Sequence, residues 1–255
     1  QHFVSGQLGG LIPVNATILV SFLTFLFVGL IEELSKYWMV RRNAERLITS
    51  IDDAIQMSII VAIGFAFAEN VINPSYFMGF AREYLLVPAE PDFVGFLSNV
   101  IGRSILTSMV HIVSTGVLGY FLGKSMFAGS YLAEEEAEGK RYLTLDAVAG
   151  LLNVRRESIY RSVMIAAGIV AAVGLHTAFN FLVTLPDLLP GRPQSIGRVL
   201  GIPGFLDLVP MLLVPSLLYV VGGFWLLTTL FMRKENTEER GRVVHMEAFV
   251  RERAA

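Results

Sequence analysis

The chain has 255 residues, 54% of them hydrophobic and only 16% charged, with 20 Lys and Arg against 22 Asp and Glu for a formal net charge of −2. A soluble domain carries about a quarter charged residues, so this is an integral membrane protein, and its balanced charge gives no electrostatic footprint for nucleic acid. There is no cysteine, which excludes disulfides, thiolate nucleophiles and cysteine-type zinc sites together.

Five apolar runs, near 11–40, 54–73, 97–123, 162–185 and 206–232, are each long enough to cross a hydrocarbon core, which takes about 20 helical residues. Strands of a membrane barrel would be about ten residues long with alternation, and that pattern does not occur. The expectation is an all-α polytopic helix bundle: one membrane domain over 1–232, carrying a loop at 125–161, and a charged tail over 233–255.

The first run carries Ile31-Glu32-Glu33-Leu34-Ser35-Lys36. Carboxylates in a membrane span cost roughly 2.5–3.5 kcal/mol each on insertion scales, so these are compensated or have a task. Consecutive helical residues point about 100° apart. Glu32 stands four residues before Lys36, the favourable order for an ion pair, which leaves Glu33 on a neighbouring face for another role. The plainer alternative is that both snorkel to the cytoplasmic interface, whose edge Arg41 and Arg42 would mark about 12 Å further along the helix.

The second run ends in Gly64-Phe65-Ala66-Phe67-Ala68-Glu69-Asn70. Glu69 lies roughly 22 Å of helix rise from Ala54, in apolar surroundings that disfavour a lone carboxylate. The loop 74–96 contains Pro74, Pro88 and Pro91 and is expected against the membrane surface. In the third run His111 lies thirteen residues before Lys124, and Gly119 and Gly123 form a GxxxG that lets another helix of the bundle approach closely. The loop 125–161 holds an acidic patch, Glu134, Glu135, Glu136 and Glu138, and then an amphipathic stretch over 143–160 expected to form a surface helix. In the fourth run His176 lies fifteen residues after Arg161, with Asn180 on the same helix face. Pro186, Pro190, Pro193 and Pro203 predict a non-helical segment over 186–205. His2 and His245 fall in polar ends and are expected to be idle.

Sixteen of the 20 basic residues fall near 36–46, in 124–161 and after 232, whereas Arg82, Arg192 and Arg198 lie on the other side and Arg103 within a span. The positive-inside rule then places 41–53, 124–161 and the tail in the cytoplasm, and Gln1 outside. Gln1–Gly10 lacks the basic segment that opens a signal peptide. If the intact protein starts inside, an odd number of spans is expected before Gln1.

Glu69, His111 and His176 thus reach one depth on three helices, about 20–22 Å from the basic edge, and the expectation is a joint hydrolytic site. One glutamate with two histidines is a ligand set of catalytic zinc, which keeps a position for water; Glu32 or Glu33 would then be the general base. Without a metal, a carboxylate would activate water alone while His and Asn180 bind the oxyanion. Glu33 counts about 10 Å too shallow to join them, so helix tilt or a later end to the first span must close the gap. Two other readings compete. A proton-coupled transporter predicts inverted repeats and broken helices, and none are found. A non-enzymatic scaffold would use the polar groups to glue helices together.

Taken in order, EExxK (Glu32, Glu33, Lys36), the Phe65–Glu69-Asn70 motif, His111 and His176xxxAsn180 resemble the PrsW family of intramembrane proteases, over roughly 11–185. That family is similar to the CAAX-processing and bacteriocin-processing proteases, in which Arg follows the Glu pair where Lys36 stands here at a different spacing. The resemblance implies hydrolysis of a peptide bond in or near the lipid bilayer. It implies a single-span membrane protein as substrate, with site-one cleavage of a membrane-anchored anti-sigma factor as the associated reaction. It also implies catalytic roles among Glu32, Glu33, Glu69, His111, His176 and Asn180, with Lys36 and Asn70 in support. Zn2+ would be held by Glu69, His111 and His176, a glutamate-only mechanism being the alternative. The sequence carries no indication of oligomeric state.

Overall fold

The computed structural model describes residues 14–72, 75–88, 90–191, 193, 195–202 and 204–233. The expectations for Gln1, His2, Pro74, Arg192, Pro203, His245 and the tail from 234 lie outside the described residues. Those described are helical apart from turns and an isolated antiparallel bridge between Ser195 and Pro210. Among the described residues, five helices are long and apolar enough to cross a membrane. The all-α, multi-pass architecture expected from the apolar runs is the one observed.

The first helix, α1 (Val14–Met39), continues through a π-helical turn at Val40–Ala44 and a 3-10 turn at Glu45–Leu47. The first span therefore ends later than Val40. Helix α2 (Ile51–Ile72) starts at a reciprocal cap. Asp53 N donates to Ser50 Oγ at 3.0 Å, while Thr49 N and Oγ1 donate to Asp53 Oδ2 at 2.9 and 2.7 Å, which satisfies amides that a helix start leaves unpaired.

After the short helix α3 (Ser75–Ala81), Asp92 caps α4 (Phe93–Met126) by accepting from Gly95 N at 2.8 Å. Helix α4 is the axis of the bundle. Its apolar window is 72% buried, against 17–33% for the other spans. It packs most extensively on α2 and α7. Gly119 and Gly123 make the α2 contact possible. A Cβ on Gly119 would stand 2.6 Å from Ser58 Oγ and 2.7 Å from the Ala54 carbonyl, and one on Gly123 3.0 Å from Ile51 Cα. The GxxxG is thus a packing seam within the chain.

The stretch 143–160 is not one amphipathic helix. After α5 (Ala128–Ala137), helix α6 (Leu143–Leu152) is closed by Asn153 in the left-handed region at φ 51°, and α7 (Arg156–Leu188) begins three residues later. Asn tolerates this conformation and stops the helix. Arg156 then pairs with Glu136 and with Asp146, tying α5, α6 and α7 together. Three further features differ from expectation. Pro186 lies inside α7, in its last turn, where little helix remains to be disrupted. The segment 186–205 also contains a helical turn, α8 (Ile196–Leu200), capped by Ser195. The last span runs from α9 (Leu213–Leu217) through a π-helical turn to α10 (Gly223–Phe231), so it starts later than 206.

Candidate active site

Four helices bring their polar side chains to one place. Glu32, Glu33 and Lys36 come from α1, Glu69 from α2, His111 from α4 and His176 from α7. Glu33, Lys36, His111 and His176 are all at least 98% buried. Helix α1 can approach α7 here because Gly29 has no side chain: its Cβ would lie 3.2 Å from Thr177 Oγ1 and 3.8 Å from His176 Cβ.

Glu33 is the most heavily bonded group. Its Oε1 accepts from Lys36 Nζ at 2.5 Å, from Ser114 Oγ at 2.9 Å and from His176 Nδ1 at 2.8 Å. Its Oε2 accepts from Thr115 Oγ1 at 3.0 Å. A buried charge is tolerated when it is paired and its remaining lone pairs are filled, and both conditions hold. This reverses the expected division of labour. The lysine pairs with Glu33 at i, i+3, not with Glu32 at i, i+4, because Glu33 faces the protein with Ser114, Thr115 and His176. The expected depth gap is also absent. The basic residues Arg41 and Arg42 lie within a turn that continues the first helix, so they mark no sharp membrane edge.

Lys36 Nζ also lies 2.8 Å from His111 Nδ1 and 4.8 Å from the centre of the Phe65 ring. The other nitrogen of His111, Nε2, is 3.0 Å from Glu69 Oε2, and Arg103 stands 3.6 Å from Glu69 Oε1. The two imidazoles meet edge to face with ring centres 4.9 Å apart.

Glu32 has the opposite character to Glu33. Its side chain keeps 19% exposure, and its Oε2 is buried with no hydrogen-bond partner. The nearest imidazole nitrogen is His176 Nε2, at 3.4 Å. His176 donates its Nδ1–H to Glu33, so in the neutral ring Nε2 presents a lone pair. Two electron-rich atoms therefore face each other across a gap, an arrangement that a proton or a metal cation between them would satisfy. Glu32, His111 and His176 each offer a ligand atom within 4.8 Å of the others. A carboxylate and two imidazoles are hard-to-borderline donors that suit a divalent transition metal, and the Glu33–His176 hydrogen bond is of the kind that orients a ligating histidine. The residues present fit such an ion when His111 Nε2 is deprotonated and gives up its hydrogen bond to Glu69, Nδ1 still accepting from Lys36.

Residues 4–206 match the family profile described as PrsW family intramembrane metalloprotease. The chain belongs to that family. No curated protein and no solved structure matches it. The PrsW assignment makes the chain an intramembrane protease acting on membrane proteins in a lipid environment, and it agrees with the resemblance read from the motif order.

Within this PrsW chain, six of the expected site residues converge: Glu32, Glu33, Lys36, Glu69, His111 and His176. Asn180 does not join their hydrogen bonds; its carbonyl accepts from Thr184 Oγ1 at 2.9 Å. Asn70 Oδ1 is buried without a partner. Ser114, Thr115 and Arg103 were not anticipated. The first two were discoverable, since they follow His111 by three and four residues and so share its helix face.

Proposed function

We propose that Glu32, His111 and His176 hold a zinc ion and that Glu69 is the general base for hydrolysis of a peptide bond in a single-span membrane protein. The bare Glu32 Oε2 facing His176 Nε2 carries this reading. It exchanges the roles expected from sequence, where Glu69 was a ligand and a glutamate of the first pair the base. When bound, the ion supplies Lewis acidity toward the substrate carbonyl and its water.

This chain's residues do the rest. Glu33 fixes the tautomer and the ring plane of His176, and Lys36 neutralises Glu33. Glu69, the more open carboxylate with 26% side-chain exposure, takes a proton from water as the water oxygen bonds to the substrate carbonyl carbon. As the C–N bond breaks, the same carboxyl returns the proton to the leaving amine. Arg103 holds the second oxygen of Glu69. An anti-sigma factor cleaved in a site-one-type step is the substrate class that the family resemblance supports. The charge distribution supports loops 41–53 and 124–161 and the tail in the cytoplasm, with 1–232 as the protease domain.

One observation favours a second reading, without a metal. A lysine ammonium at Nδ1 of His111 leaves the ring proton on Nε2, directed to Glu69, and a protonated Nε2 cannot ligate. Glu32 would then be the base. The experiment is metal content and cleavage of a single-span reporter, measured on the same samples of wild type, Glu32→Gln and His176→Ala. Stoichiometric zinc lost together with activity in both variants supports the first reading. Full cleavage by metal-free wild type removes it and leaves the second.

A further inference from the structure

Apart from the glutamate and histidine cluster, a groove of about 620 Å³ runs between α4, α7 and α10. Lys124, in the last turn of α4, and Arg233, just beyond α10, stand at the same end of it. Tyr120 lies between them. The two cationic groups are 5.5 and 5.6 Å from its ring centre, and Arg233 donates to its hydroxyl at 3.4 Å. Lys124 is further held 4.2 Å from the ring centre of Tyr131. The remaining wall is apolar, with Phe121, Met164, Val170 and Leu226 along it. Gly174 keeps the groove deep, since a Cβ there would meet nothing within 4 Å, and Val170 is 71% exposed.

We propose that this groove binds an anionic phospholipid, with its phosphate at Lys124 and Arg233 and an acyl chain along Phe121, Val170 and Gly174. The reasoning is complementarity. Basic pockets between spans at a membrane face recognise acidic headgroups. An apolar trough that continues from such a pair into the hydrocarbon region matches a lipid chain, not a free anion. A zwitterionic headgroup would bring its own ammonium toward the same two cations. From Lys124 back to Val117 the helix rises about 10 Å, so the headgroup site and the chain site are separated along the bilayer normal as in a lipid.

The test uses the full chain in mixed micelles. Apparent affinity is read from thermal stabilisation by added phosphatidylglycerol, phosphatidylcholine or inorganic phosphate, and bound lipid by native mass spectrometry. At about 1 kcal/mol for each basic group, phosphatidylglycerol should bind roughly thirtyfold tighter than phosphatidylcholine. Lys124→Gln with Arg233→Gln should abolish that preference. Gly174→Leu, or Val170→Trp at an exposed position, should weaken both lipids by filling the groove. Equal binding of the two lipids would overturn the proposal. So would stabilisation by inorganic phosphate that matches the lipid and ignores the groove-filling variants, which would leave an anion site only. Lipid bound only after removal of residues 234–255 would make the tail the occupant instead.

Discussion

Glu33 and Lys36 lie one helical turn apart, both at 0% side-chain exposure, and are joined at 2.5 Å. An ion pair sealed in this way is tolerable only while both members are present. Lys36→Met is therefore expected to destabilise the protein by about 3–5 kcal/mol, the usual cost of leaving a buried charge uncompensated. The double variant Lys36→Met, Glu33→Leu should recover part of that loss. Unfolding in detergent, followed for the two singles and the double, measures the coupling. Unchanged stability and normal cleavage in Lys36→Met would show that the pair has no such role.

The two glutamates should fail in different ways. Glu32 Oε2 has no hydrogen-bond partner, only the His176 Nε2 contact at 3.4 Å, so Glu32→Gln removes chemistry and little else. As a proposed ligand, Glu32 should take bound zinc and cleavage with it when substituted, while the melting temperature of the metal-free protein is preserved. Glu33 accepts from Lys36, Ser114, Thr115 and His176, so Glu33→Gln sets an amide donor among donors. It should lower stability as well as activity. Equal loss of stability in both would contradict the assignment.

Gly119 should resist even the smallest substitution. Its Cβ would meet the Ala54 carbonyl, which cannot rotate away, so Gly119→Ala is expected to cost about 1–3 kcal/mol. Gly64→Ala provides the control. It lies in α2 with nothing within 4 Å of its Cβ, and alanine's better helix propensity should leave stability unchanged or raised by up to about 1 kcal/mol. Thermal unfolding of the two variants side by side checks both.

The absence of cysteine makes the orientation measurable with single introduced thiols. With 124–161 in the cytoplasm, Glu138→Cys should react with an impermeant maleimide only in inside-out vesicles, and Glu90→Cys only in intact cells. The reverse pattern would invert the proposed topology.

How far the sequence could lead is clearest at the first helix. Carboxylates and a lysine in an apolar run declare that something must compensate them, and two histidines with a glutamate at one counted depth indicate where. Which glutamate meets the lysine was not readable. Both spacings are allowed on a helix, and the choice falls to Ser114, Thr115 and His176, which arrive from α4 and α7. Depth failed for a related reason, because counting from Arg41 and Arg42 assumes the helix ends there, whereas it continues through a π-helical turn. Asn180 shows the limit of spacing arguments. It shares a face with His176, yet its side chain forms no hydrogen bond with the cluster.

The hydrogen bond from His176 to Glu33 spans 143 residues of chain. During synthesis, the first helix therefore enters the bilayer with its acidic pair and waits for α7 before the cluster can close. With the proposed site, a chain truncated before that helix has no complete centre, and cleavage has to wait until the bundle is nearly assembled.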